Sequence, residues 1–171
     1  MPNPTQRLIY PWAEKAFEAL HQAVEIFDGT IAGDPDSPAA DYYKARNLVR
    51  EGESQIKQAL NNARKLLGPL PGYVTDDYRA WRERFVEEHR ILAEGEDKGE
   101  LRADLVKDEF VSRWISEEDI DRLLDLNYGA QQEGKRRIAH IKIRIIMDSL
   151  FELQDKAREL QKKALQNIQG G

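Results

Sequence analysis

The sequence predicts an all-α fold, a single-domain bundle of five or six helices, and three observations carry that prediction. Apolar residues recur at helical rather than alternating spacing along most of the 171 residues. Proline and glycine clusters cut the chain into helix-length pieces. Two of those pieces, about 38–67 and 131–167, carry apolar ladders spaced alternately by three and four, the pattern of a helix that packs along another helix.

Elements follow in order. Pro11 suits a first helical turn, where its missing N–H has no partner to lose, and Ala13, Ala16, Phe17, Leu20, Val24, Phe27 and Ile31 then define a helix over about 11–32. Gly33-Asp34-Pro35-Asp36-Ser37-Pro38 breaks it, and Ser37 is placed to cap a second helix ending at Leu67 before Gly68-Pro69. Tyr42, Ala45, Val49, Gly52, Ile56, Ala59, Ala63 and Leu66 form its ladder. A mid-helix glycine costs about 1 kcal/mol relative to alanine, so Gly52 implies that a bulky neighbour comes close.

Thr75-Asp76-Asp77 opens a third helix, with Tyr78, Trp81, Phe85 and Leu92 on its buried side. Residues 94–99 read as a mobile loop. A fourth helix runs from about 100 to Trp114. Ser116-Glu117-Glu118-Asp119 is close to a capping box and starts a fifth, ended by Asn127-Tyr128-Gly129. The last helix begins between Ala130 and Gly134 and carries Ala139, Ile143, Ile146, Leu150, Leu153, Ala157, Leu160 and Ala164 in register. Its Ile141, Ile143 and Ile145 alternate like a strand, but a lone strand has nothing to pair with, so the helical reading stands. Residues 1–10 and 168–171 are expected to be flexible tails.

Charge is unevenly spread. Residues 1–70 hold 8 basic and 9 acidic side chains, residues 71–125 hold 9 and 17, and residues 126–171 hold 9 and 5. An acidic middle and a basic last helix favour heterotypic protein contacts as readily as nucleic acid. There is no cysteine, which excludes disulfides and thiolate metal sites. No apolar run is long enough for a signal peptide or a membrane span, and a cytoplasmic setting is expected.

Candidate chemistry is sparse. Glu18 and His21 have the Glu-x-x-His spacing of di-metal bundles, but neither His89 nor His140 supplies a second copy, so no metal site is expected. No phosphate loop or nucleophilic triad is present, and no cofactor is expected. Arg84 and His89, five apart, form an Arg-x4-His motif that resembles the one in HEPN ribonucleases, which are small helical proteins. That resemblance implies metal-independent RNA cleavage, with the histidine moving a proton and the arginine holding a phosphate.

Lys135, Arg136, Arg137, Lys142 and Arg144 make a basic cluster without interleaved acids, the candidate nucleic-acid interface. Ile138, Ile141, Ile145 and Phe151 add a second apolar strip beside the last helix's ladder. Among them Ile141, Ile145 and Phe151 are the candidate partner-binding residues. The leading expectation is a non-catalytic helical adaptor or small subunit that binds another protein or a larger assembly, homodimerisation included. A nucleic-acid-binding subunit and a HEPN-like ribonuclease are the rival readings.

Overall fold

The computed structural model describes residues 4–32, 39–67, 98–127 and 135–170. Among them all regular structure is α-helical: α1 (Pro4–Leu8), α2 (Tyr10–Ile31), α3 (Ala39–Leu67), α4 (Lys98–Lys107), α5 (Glu109–Trp114), α6 (Glu117–Asn127) and α7 (Lys135–Gly170). None of these helices is long and apolar enough to cross a membrane. The helix expected from Thr75 to Leu92 and nearly all of the loop expected at 94–99 lie outside the described residues.

Contacts group the chain into two compact units, Met1–Tyr10 with Leu60–Ser149, and Pro11–Ala59 with Leu150–Gly171. In the second unit, α2 buries Ala13, Ala16, Phe17, Leu20, Ala23, Val24 and Phe27. Those spacings of three and four lay one apolar stripe along the helix. On α3, Tyr42, Ala45, Val49, Gly52, Ile56 and Ala59 are buried. Leu20 meets α3 at Gly52, and Phe27 meets it at Tyr42 with ring centroids 5.9 Å apart. As α2 ascends in number α3 descends, so the two helices are antiparallel.

α7 joins this unit through Leu150, Ala157 and Ala164, all fully buried. The Glu53 carboxylate of α3 accepts from Gln154 Nε2 at 2.8 Å and pairs with Arg158. The Asn167 amide donates to the carbonyls of Ile31 at 2.9 Å and Thr30 at 3.4 Å. These are among the last carbonyls of α2, which have no partner within their own helix.

In the first unit, α4 packs on α5 and α6 around Leu101, Leu105, Val111, Ile120, Leu123 and Leu124, all buried. The sequence predicts one helix from 100 to 114; the structure breaks it at Asp108. There the backbone turns extended (φ −68°, ψ 119°) and the side chain accepts from the amides of Phe110 and Val111 as the N-cap of α5. Ser116 caps α6 as its sequence suggests, accepting from the Asp119 amide at 3.2 Å.

The chain's start departs from the expected tail. Residues 4–8 form a helical turn, Ile9 is fully buried, and Asn62 Nδ2 donates to the Leu8 carbonyl at 2.7 Å. At the other end α7 continues helical to Gly170. The strand-like alternation of isoleucines lies inside α7 and is helical throughout.

Candidate functional site

Asp108 is the hub of a four-bond polar cluster. Its Oδ2 accepts from the Tyr10 hydroxyl at 2.6 Å and from Lys142 Nζ at 2.9 Å, while Oδ1 accepts from the amides of Phe110 at 3.0 Å and Val111 at 3.1 Å. Four bonds fill the capacity of an ionised carboxylate. The Tyr10 ring stacks on Phe110 with centroids 4.1 Å apart. The Lys142 and Asp108 side chains are only 17% and 11% exposed.

Electrostatics say what this cluster can do. Burial alone would raise the Asp108 carboxyl, but hydrogen bonds from Tyr10, Lys142 and Val111, with the Lys142 charge, outweigh it and hold the group below the ordinary carboxylate range. Burial, the hydrogen bond to Asp108 and the Asp108 charge push the Tyr10 phenol well above its usual value. At neutral pH the acid is therefore ionised and the phenol protonated, and neither is poised to exchange a proton. General acid–base catalysis needs a group that titrates near the working pH, so this arrangement fastens the fold.

A cleft of about 220 Å³ opens on the second unit, lined by Lys15, Glu18, Ala19, Gln22, Leu48, Glu51 and Gln55. Ligand pockets usually enclose about 300–1,000 Å³ and are mostly apolar; this one is smaller and lined chiefly by polar side chains. His21 stacks beside Phe17 with centroids 6.3 Å apart, and burial, then the nearby Lys156 charge, lowers its pKa. Among the described residues no group of three or more histidines or carboxylates could hold a metal ion.

The residues singled out from sequence have diverse fates. Arg84 and His89 lie outside the described residues, so the ribonuclease motif gains nothing from the structure. Lys135, Arg136, Arg137 and Ile141 belong to the helical start of α7, and their side chains lie outside the described set. Lys142 spends its charge on Asp108. Arg144 and Ile145 are fully buried, which removes both from any surface a phosphate or a partner could touch. Phe151 is half-buried.

Exposed apolar groups occur elsewhere, at Tyr43 (53% exposed), Leu165 (36%) and Ile168 (37%). Sequence reasoning missed Leu165 and Ile168, one and four residues past Ala164: Leu165 stands beside the α7 ladder, and Ile168 continues it beyond its last counted position. Comparison with known proteins found no matching family model, no matching curated protein and no matching solved structure.

Proposed function

We propose that this chain is a non-catalytic helical adaptor or small subunit that docks onto another protein or a larger assembly in the cytoplasm. The observation that carries the reading is the pair Leu165 and Ile168, exposed side by side one turn apart near the end of α7. Large apolar side chains grouped on a surface favour a partner that removes them from water. In the cluster around Asp108 neither the carboxyl nor the Tyr10 phenol is poised for proton transfer, which also favours binding over catalysis.

In this reading the ladders of α3 and α7 form a coiled-coil-like seam that keeps α7 straight and presents its distal end. The partner face is thereby moved from Ile141, Ile145 and Phe151 to Leu165 and Ile168. The test is affinity purification from the native host with the wild type and with Leu165→Asp/Ile168→Asp, beside light scattering on the purified protein. Loss of a specific partner, or of a homodimer, in the folded variant supports the proposal. Identical partners and mass for both proteins overturn it.

A further inference from the structure

We propose that the outward face of α3 binds duplex nucleic acid along its phosphate backbone. Tyr43, Asn47, Arg50, Ser54 and Lys57 recur at spacings of four, three, four and three, and all are exposed. That spacing keeps them within about 40° of one line along the helix. Arg46 borders the line with its guanidinium 5.0 Å from the Tyr43 ring centroid, and its Nε is buried without a hydrogen-bond partner among the described residues.

No carboxylate stands on this line. Glu51 and Glu53 lie about 80° to either side, and Glu53 is already engaged by Gln154 and Arg158. Charge differs between neighbouring helices: up to residue 59, α3 carries Lys44, Arg46, Arg50 and Lys57 against Asp41, Glu51 and Glu53, whereas α2 carries Lys15 against Glu14, Glu18, Glu25 and Asp28. Cations interspersed with amide and hydroxyl donors are what phosphate oxygens accept from.

The shape of the face narrows the ligand. From Tyr43 to Lys57 the ridge is about 21 Å long, the run of about six base pairs at 3.4 Å each. A convex helix ridge complements the concave surface of a duplex. Tyr43 is the only large apolar side chain on the line, too little to anchor the face in a lipid surface. An acidic protein helix would answer the same charge, and competition separates it.

The test is fluorescence anisotropy with a fluorescein-labelled 20-base-pair DNA duplex and the full chain. If Arg46, Arg50 and Lys57 each meet a phosphate, affinity falls about 40-fold between 50 and 200 mM salt; Arg50→Gln/Lys57→Gln leaves one such contact and a fall of about fourfold. That variant, with an unchanged circular dichroism spectrum, should also bind at least about tenfold more weakly at 50 mM salt. Lys162→Gln/Lys163→Gln, which removes exposed cations from α7, should bind as the wild type does.

Absence of binding at 50 mM salt overturns the proposal, as does wild-type affinity in the α3 variant or an equal loss in the α7 variant. Unlabelled duplex should displace the probe, and polyglutamate of equal charge should not. Equal displacement by polyglutamate would assign the face to acidic protein instead.

Discussion

Gly52 of α3 leaves room for Leu20 of α2 so closely that a Cβ at Gly52 would lie 2.8 Å from Leu20 Cγ and 2.9 Å from its Cδ2. Leu20 is fully buried, so its branch point has nowhere to retreat. Gly52→Ala gains about 1 kcal/mol of helix propensity and meets an overpacking cost of about 1–3 kcal/mol. A net loss of stability is expected in urea denaturation. Adding Leu20→Ala should make the double variant less destabilised than the two single losses combined, because the new methyl fills part of the cavity. Stabilisation by Gly52→Ala alone would mean that the two helices are not in this contact.

Asp108 should be the costliest member of its cluster. Asp108→Ala leaves Lys142 without its carboxylate in a setting only 17% exposed and uncaps α5, a loss of about 3 kcal/mol or more. Tyr10→Phe keeps the ring stacked on Phe110 and removes one hydrogen bond, worth about 1 kcal/mol. Lys142→Met should fall between them, since the carboxylate keeps its tyrosine and backbone donors. Chemical denaturation of the three variants gives the order, and Tyr10→Phe costing more than Asp108→Ala would overturn the assignment of Asp108 as hub.

The same cluster sets a pH window. Asp108 has a folded pKa below its ordinary 3.8, so its contribution is fully present above that value and is lost as pH falls through the folded pKa. Tyr10 is raised above 10.0, so its contribution is full below that value and is lost as pH rises through the range between the unfolded and folded values. Stability should fall on both sides, with Asp108→Asn flattening the acid limb and Tyr10→Phe the alkaline one. His21, lowered below 6.5, adds a separate loss as pH falls through its folded pKa, and His21→Gln should remove it. Denaturation midpoints measured across pH decide each case, and limbs unchanged in the variants would assign them to other groups.

How far the sequence could be read depended on whether local spacing or distant partners decided a residue's position. Ala45, Val49, Ile56 and Ala59 announce their burial because an amphipathic helix repeats its inner face, and Gly52 announced a close neighbour through its cost. The break at Asp108 was hidden because Leu101, Leu105, Val106, Phe110 and Val111 keep helical spacing across it. Its cause is a side chain turned back on two amides and reached by Tyr10 and Lys142 from elsewhere in the chain. Ile9 likewise looked like part of a tail until Asn62, more than fifty residues away, tied down the Leu8 carbonyl. Arg144 and Ile145 show the converse limit: charge and periodicity placed them on a surface, and tertiary packing buried both.

Leu165, Ile168 and Ala164 divide the distal end of α7 into an exposed side, the proposed docking face, and a packed one. Ala164 is fully buried, whereas Leu165 and Ile168 are 36% and 37% exposed. Ala164→Asp places an unpaired charge in the core and should cost at least about 3 kcal/mol. Leu165→Asp and Ile168→Asp exchange apolar surface for solvated carboxylates and should each change stability by no more than about 0.5 kcal/mol, while abolishing any association made through this face. Thermal and urea unfolding of the three variants tests the division. A loss of about 2 kcal/mol for Leu165→Asp would place that side chain among the contacts that hold the helices together, leave Ile168 as the one exposed apolar residue of the pair, and overturn the two-residue docking face.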